Sequence, residues 1–345
     1  MNADLSVIIP VYNRGDVIRY TFESLRRASA GLRVETILVD DGSEPPTSEV
    51  LARFGYFPTR VHRQKNQGLL LARLVGLELA TGRHTLFLDS DDLVGTEKLR
   101  AQVAAMDAAR ADVSYTDTAH CILKGDYDDL WITADKPSRD VSDAAEFYIL
   151  VQPPPHAPVF RTDYLRSVVA RRFFPPLPLY NTVAEIWFYH NAAPRPARVL
   201  RVPGPHTIVG IHPDTRLTDH WEKLGVGSLA VMEAFARSTA SCPEAARARR
   251  FVGEKAFYSW RALPHSFSRE FAERELNLWR SLAPGFSSTL GGGLFRKFAR
   301  LLGAERAGRL FRIWQAGPYK PIRTLADEDL SRLIAALPPP GSLKL

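Results

Sequence analysis

The chain has 345 residues with a net charge of +7, and its 45% hydrophobic and 24% charged content is that of an ordinary globular protein, which excludes disorder and fibrous repeats. No window holds the roughly 18 consecutive apolar residues of a spanning helix, and the first ten residues lack a basic region and a cleavage site, so the sequence reads as cytoplasmic. The positive charge suits anionic partners, but neither aromatic-interleaved basic motifs nor spaced Cys/His sets occur, which argues against nucleic acid; Cys121 and Cys242 carry no metal-ligand spacing.

Residues 5–10 form a short β-branched run, and the pattern of Val17, Ile18, Phe22 and Leu25 then predicts a helix. The order repeats: strand 35–39, helix from about residue 46, strand 60–62, helix 69–80, strand 84–88, helix 97–109 and strand 112–116. Such alternation predicts an α/β domain, a Rossmann-like, mostly parallel sheet flanked by helices on both faces. Right-handed crossovers bring the strands' C-terminal ends to one rim, where open sheets bind ligands.

The residues after the strands are therefore expected to meet. They are Pro10, Val11, Tyr12 and Asn13 after the first, Asp40, Asp41, Gly42 and Ser43 after the second, and Asp89, Ser90, Asp91 and Asp92 after the fourth. Five carboxylates on one edge repel one another, and a cation is the simpler remedy than protonation. Oxygen ligands favour Mg2+ or Mn2+, with phosphate and water completing the shell. Taken alone, the Asp40-Asp41-Gly42-Ser43 run also reads as a plain turn.

In this order and spacing the motifs resemble the family 2 glycosyltransferases, whose catalytic domain has the GT-A fold. The matching pieces are Ser6 to Asn13 (SVIIPVYN), Val39 to Ser43 (VDDGS), Asn66-Gln67-Gly68 with Ala72-Arg73, Ala80-Thr81-Gly82, and Phe87 to Asp92 (FLDSDD). The resemblance runs from Ser6 to about His212. It implies a catalytic domain over 1–218, with a nucleotide-sugar half to about 116 and an acceptor half over 117–218, followed by a helical region over 219–345.

By that resemblance Pro10, Tyr12, Asn13 and Asp41 hold the base and ribose, Asp41 accepting a base N–H as uracil offers. Arg73 approaches the diphosphate, Asp89 and Ser90 contact the donor, and Asp91, Asp92 and His212 hold the metal. The family's Ala-Arg-Asn is here Ala72-Arg73-Leu74. Glu185, in the segment matching the family's acidic helix, falls at the catalytic base, although the usual Glu-Asp pair is reduced to a lone Glu. Its apolar neighbours Val183, Ile186, Trp187 and Phe188 are expected to raise its pKa, as a base requires. Arg216 is a further candidate for the diphosphate.

The resemblance implies an inverting, metal-dependent transfer from a nucleotide sugar, with a UDP-sugar the expected donor, to a glycan or glycolipid acceptor in cell-surface polysaccharide biosynthesis. Two alternatives stay open: a degenerate nucleotide-sugar-binding partner of a polysaccharide assembly complex, and a sugar-1-phosphate nucleotidyltransferase, whose Gly-rich loop is missing here. From residue 219 helices are expected over 225–238, 244–261, 268–282 and 294–313. The last sets Phe295, Phe298, Leu301 and Leu302 against Arg296, Lys297, Arg300 and Arg309, a pattern suited to the inner face of an anionic membrane, to the catalytic domain or to a second subunit in an oligomer.

Overall fold

The computed structural model describes residues 3–213, 219–285, 290–315 and 317–339. Its first half follows the expected alternation: β1 (Leu5–Val11), α1 (Ile18–Ala28), β2 (Val34–Asp40), α2 (Thr47–Arg53), β3 (Arg60–Arg63), α3 (Leu69–Leu79), β4 (His84–Phe87), a short β5 (Leu93–Val94), α4 (Lys98–Ala109) and β6 (Val113–Ile122). Strands β1, β2, β3 and β4 pair in parallel in the order β3-β2-β1-β4. Every residue of β1 is buried, as expected of a parallel strand covered on both faces.

Beyond β4 the sheet becomes mixed. After β7 (Ile132–Ala134), the three-residue α5 (Ala144–Glu146) and a π-helical turn (Phe147–Val151) comes β8 (Pro158–Arg161), which inserts antiparallel between β4 and β6. It leads into α6 (Thr162–Ala170) and α7 (Ala184–Ala192). The long β9 (Val199–Ile211) pairs parallel to β6 and antiparallel to β5, completing the order β3-β2-β1-β4-β8-β6-β9-β5, with β7 alongside β6. Two antiparallel steps restore the direction of β4, so β6 and β9 end on the same rim as β1, β2 and β4.

Two apolar layers enclose the sheet. On one face Leu5, Val7, Ile9 and Val11 meet α1, α2 and α4 through Ile18, Phe22, Leu25, Val50, Leu51 and Leu99. On the other, Ile8, Ile37, Val39 and Phe87 meet α3 and α7, and this cluster runs on into the C-terminal helices. The α3 helix lies so close that a Cβ on Gly76 would overlap the Ile8 side chain. Fully buried Lys98 ties the second half together, donating to Thr116 Oγ1 (3.1 Å), Ala157 O (3.0 Å) and Thr207 Oγ1 (3.0 Å). Three acceptors match an ammonium's three donors.

The remaining helices are α8 (Trp221–Ser238), α9 (Ala246–Ala262), α10 (Arg269–Leu282), α11 (Gly293–Leu302), α12 (Ala304–Gln315) and α13 (Asp327–Ala335). The single helix expected over 294–313 is instead two, broken at Gly303, whose φ of +81° is left-handed. No described helix is long and apolar enough to cross a membrane. Both cysteines are free thiols.

Candidate functional site

The parallel register sets Val11 beside Asp40 and Ile8 beside Phe87, so the turns that follow β1, β2 and β4 open into one cleft of about 560 Å3. Pro10, Tyr12, Asn13, Asp41, Asp89, Ser90, Asp91 and Asp92 all line it. Asp41 and Asp91 thus face the same space. Tyr12 is 52% exposed, an aromatic face open to the cleft.

Within the first acidic turn the carboxylates are largely spoken for by the backbone. Asp40 accepts from the N–H groups of Ser43 (2.8 Å) and Thr47 (2.9 Å), which satisfies the start of α2. Asp41 accepts from Gln67 N (2.9 Å) and Gln64 Nε2 (2.8 Å) on Oδ1, and from Gly68 N (2.7 Å) on Oδ2. It therefore shapes the Asn66-Gln67-Gly68 turn, and about one of its roughly four lone-pair sites remains for a ligand. Asn13, with φ of +47°, clasps the same loop: its N–H donates to Ser43 Oγ (3.0 Å) and its Oδ1 accepts from Glu44 N (2.9 Å).

The second acidic turn is built from side-chain pairs. Arg73 Nη2 donates to Asp89 Oδ1 at 2.6 Å, and Arg73 Nη1 lies 3.5 Å from Glu185 Oε2. Arg73 is fully buried and does not line the cleft. Its guanidinium joins two carboxylates beneath the cleft. Burial pushes the Glu185 carboxyl up, and the Arg73 charge opposes that rise. Glu185 keeps 28% of its side chain exposed and, like Arg73, is not among the residues that line the cleft.

Asp91 receives His212 Nε2 at 2.9 Å and Arg14 Nη2 at 3.2 Å. Its carboxyl is raised, first by burial and then by the charge of Asp92, with Arg14 opposing. Asp92 is tied to the second half of the chain. Its Oδ1 accepts from Gly210 N at 3.0 Å and its Oδ2 lies 3.0 Å from Nδ1 of fully buried His156, so its carboxylate locks the turn to β9. Among the described residues no three His, Cys, Asp or Glu side chains are gathered as a metal-ligand group. Asp91 and His212 are the expected ligands that meet. A buried carboxylate raised by a like-charged neighbour, set against an imidazole nitrogen, fits a Mg2+ or Mn2+ ion that takes its other ligands from phosphate and water.

Sequence reasoning missed Arg14, Asn181, His220 and Lys223, all on the cleft wall, and His156 behind it. Arg14 stands two residues from Tyr12, a signal that was available. Asn181 has none: it serves the site by accepting from Leu70 N (3.1 Å) and packing where a Cβ on Gly68 would overlap it. Arg216 lies outside the described residues.

Residues 6–165 match the family model described as glycosyl transferase family 2. The uncharacterized glycosyltransferase YibD of Escherichia coli (strain K12) is 40% identical over 92 residues, 26% of each chain. The putative teichuronic acid biosynthesis glycosyltransferase TuaG of Bacillus subtilis (strain 168) is 36% identical over 115 residues, covering 32% of this chain and 45% of TuaG. The aligned segments span 18% to 54% of the lengths of such relatives. Among solved structures, S. aureus TarS 1-349 in complex with UDP-GlcNAc superposes with a TM-score of 0.64 at 19% identity, covering 92% of this chain and 93% of that one. That likeness bears out the GT-A fold.

Proposed function

We propose that this chain, whose residues 6–165 belong to glycosyl transferase family 2, transfers a sugar from a UDP-linked donor to a hydroxyl of a glycan or glycolipid acceptor, with inversion and with the aid of Mg2+ or Mn2+. The observation that carries this reading is the joining of donor cleft and base: Asp89 on the cleft wall and Glu185 on α7 share one buried arginine, Arg73. The TarS structure supports UDP, since that protein holds UDP-GlcNAc.

In this scheme Tyr12 packs on the base, and the open acceptor capacity of Asp41 takes a base N–H. Glu185 takes the proton of the acceptor hydroxyl as its oxygen attacks the anomeric carbon opposite the departing diphosphate. Burial raises its proton affinity, the Arg73 charge opposes that rise, and the same guanidinium links it to Asp89. Asp91 and His212 would hold the cation, which when bound supplies charge neutralisation at the leaving diphosphate. Thermal stabilisation by a nucleotide panel with and without Mn2+ tests the donor half, because a ligand of the folded state raises apparent stability. A UDP preference lost in Asp91→Ala is expected; indifference to every nucleotide overturns the reading.

A membrane partner belongs to the same proposal and is supported by the α11–α12 hairpin. Phe298 and Trp314 meet across it at 6.4 Å between ring centres, and Leu294, Leu301, Leu310, Ile313 and Trp314 are exposed beside Arg296, Lys297 and Arg306. Flotation with phosphatidylglycerol vesicles is expected to carry the protein, neutral vesicles to leave it behind, and added salt to release it. Leu301→Glu lowers binding roughly tenfold, the worth of one buried apolar side chain.

A further inference from the structure

Two residues of the cleft wall come from a part of the chain beyond the family match. His220, at the cap of α8, and Lys223, in its first turn, line the cleft together with the turns after β1, β2 and β4. That first turn is held from two sides. Glu222 accepts from Thr324 N (2.8 Å) and from Tyr319 Oη (3.1 Å), and Trp221 Nε1 donates to Ile322 O (2.8 Å), which fastens the turn to the segment before α13. On the other side Thr182 Oγ1 lies 3.5 Å from the Lys223 carbonyl, and a Cβ on Gly227 would crowd the same hydroxyl. Asn181, the neighbour of Thr182, is itself a cleft residue that accepts from Leu70 N, so the wall and the helix share one anchor. The Lys223 backbone is fixed, and its half-buried side chain is the one part left to move.

The charges of the cleft are unequally engaged. Asp41 is held by the amides of Gln67 and Gly68, Asp89 by Arg73, and Asp92 by Gly210 N and His156. Asp91 takes His212 and Arg14, which commits the other lining arginine. Lys223, by contrast, has no carboxylate partner among the described residues, and Nδ1 of His220 is buried without a hydrogen-bond partner. Four aspartates against Arg14 and Lys223 leave the wall acidic, so an anion bound there needs cationic help. Asp91 and His212 would hold a divalent ion for that purpose; Lys223 is a cation that the chain itself provides. In a nucleoside diphosphate carrying a neutral sugar, the diphosphate is the only ionised group at neutral pH. A compact ammonium on a flexible stem can follow its oxygens.

We infer that Lys223 binds the diphosphate of the donor, so that the helical C-terminal region completes a nucleotide site begun by the motifs of the first half. The inference rests on the transferase reading. It is tested on the full-length protein, as wild type, Lys223→Arg, Lys223→Gln and Lys223→Met, by titration with UDP and with uridine in the presence of Mg2+. Calorimetry at low and high salt follows UDP, and broadening of the ligand's own NMR signals follows the weaker uridine. The expected result is that UDP affinity falls tenfold or more in the two neutral variants and stays within threefold in Lys223→Arg, while uridine binds all four alike. The salt dependence of UDP binding should also be shallower in the neutral variants. Equal UDP affinity in all four proteins would overturn the assignment, and so would a parallel loss of UDP and uridine, which marks a wall residue that acts by shape. A wild type that binds neither UDP nor uridine would overturn the donor reading instead, so the two failures are distinguishable.

Discussion

The two acidic turns look alike in sequence, and they do different work. In Asp40-Asp41 the oxygens accept from backbone N–H groups of Ser43, Thr47, Gln67 and Gly68, so the charge is used to close loops. In Asp89-Ser90-Asp91-Asp92 the partners of Asp89 and Asp91 are the side chains of Arg73, Arg14 and His212, which come from three other elements of the fold. A carboxylate held by backbone amides fixes the loop it sits in, whereas one held by side chains joins segments far apart in the chain.

The sharpest break in that contrast comes from Glu185, the proposed base, which Arg73 joins to the second turn. Glu185→Gln is expected to lower sugar transfer about 10²- to 10⁴-fold, the usual share of a general base, with UDP affinity retained in calorimetry. Next in size is Asp40→Ala, which strands two buried amide donors. Its unfolding free energy in denaturant titration is expected to fall by about 2–4 kcal/mol, with nucleotide selectivity preserved in whatever remains folded. Asp91→Asn does the reverse. Burial and Asp92 raise the Asp91 carboxyl in the folded chain, so its ionisation opposes folding as pH rises above its unfolded value. The amide is therefore expected to unfold at an equal or higher temperature than wild type at neutral pH, the gap closing as pH falls, while stabilisation by UDP with Mn2+ disappears. The smallest effect is on the pH profile. The acid limb of transfer activity should lie above the usual carboxylate range, because burial raises Glu185, and Arg73→Met should move it higher still by removing the opposing charge.

The first half of the sheet was legible because its signals are local: each strand, its polar turn and its helix are consecutive, and the parallel crossover rule gathers the turns without further information. Thus Tyr12, Asp41 and Asp91 share a cleft as the motif order implies. The position of β8 was not legible. It lies more than 70 residues after β4 yet displaces β6 from β4's side, a pairing set by packing over distance. Nor could sequence divide the labour between Asp40 and Asp91, since acceptor chemistry is the same whether the donor is an amide or an arginine. Arg73 was recognised by its motif, but its burial follows from the carboxylates on either side, one of them 112 residues away. In the C-terminal helices the apolar period was visible, and Gly303 was passed over because nothing upstream of it marks the break.

Gly210 sits where β9 presses on the Asp91 backbone, and any Cβ there would overlap the Asp91 carbonyl. The seam between the two halves is consequently a matched joint. A chimera that grafts the later part of one relative onto the first part of another has to bring a glycine to this point, or the graft will tilt the carboxylate turn and spoil a cleft whose own residues were never exchanged.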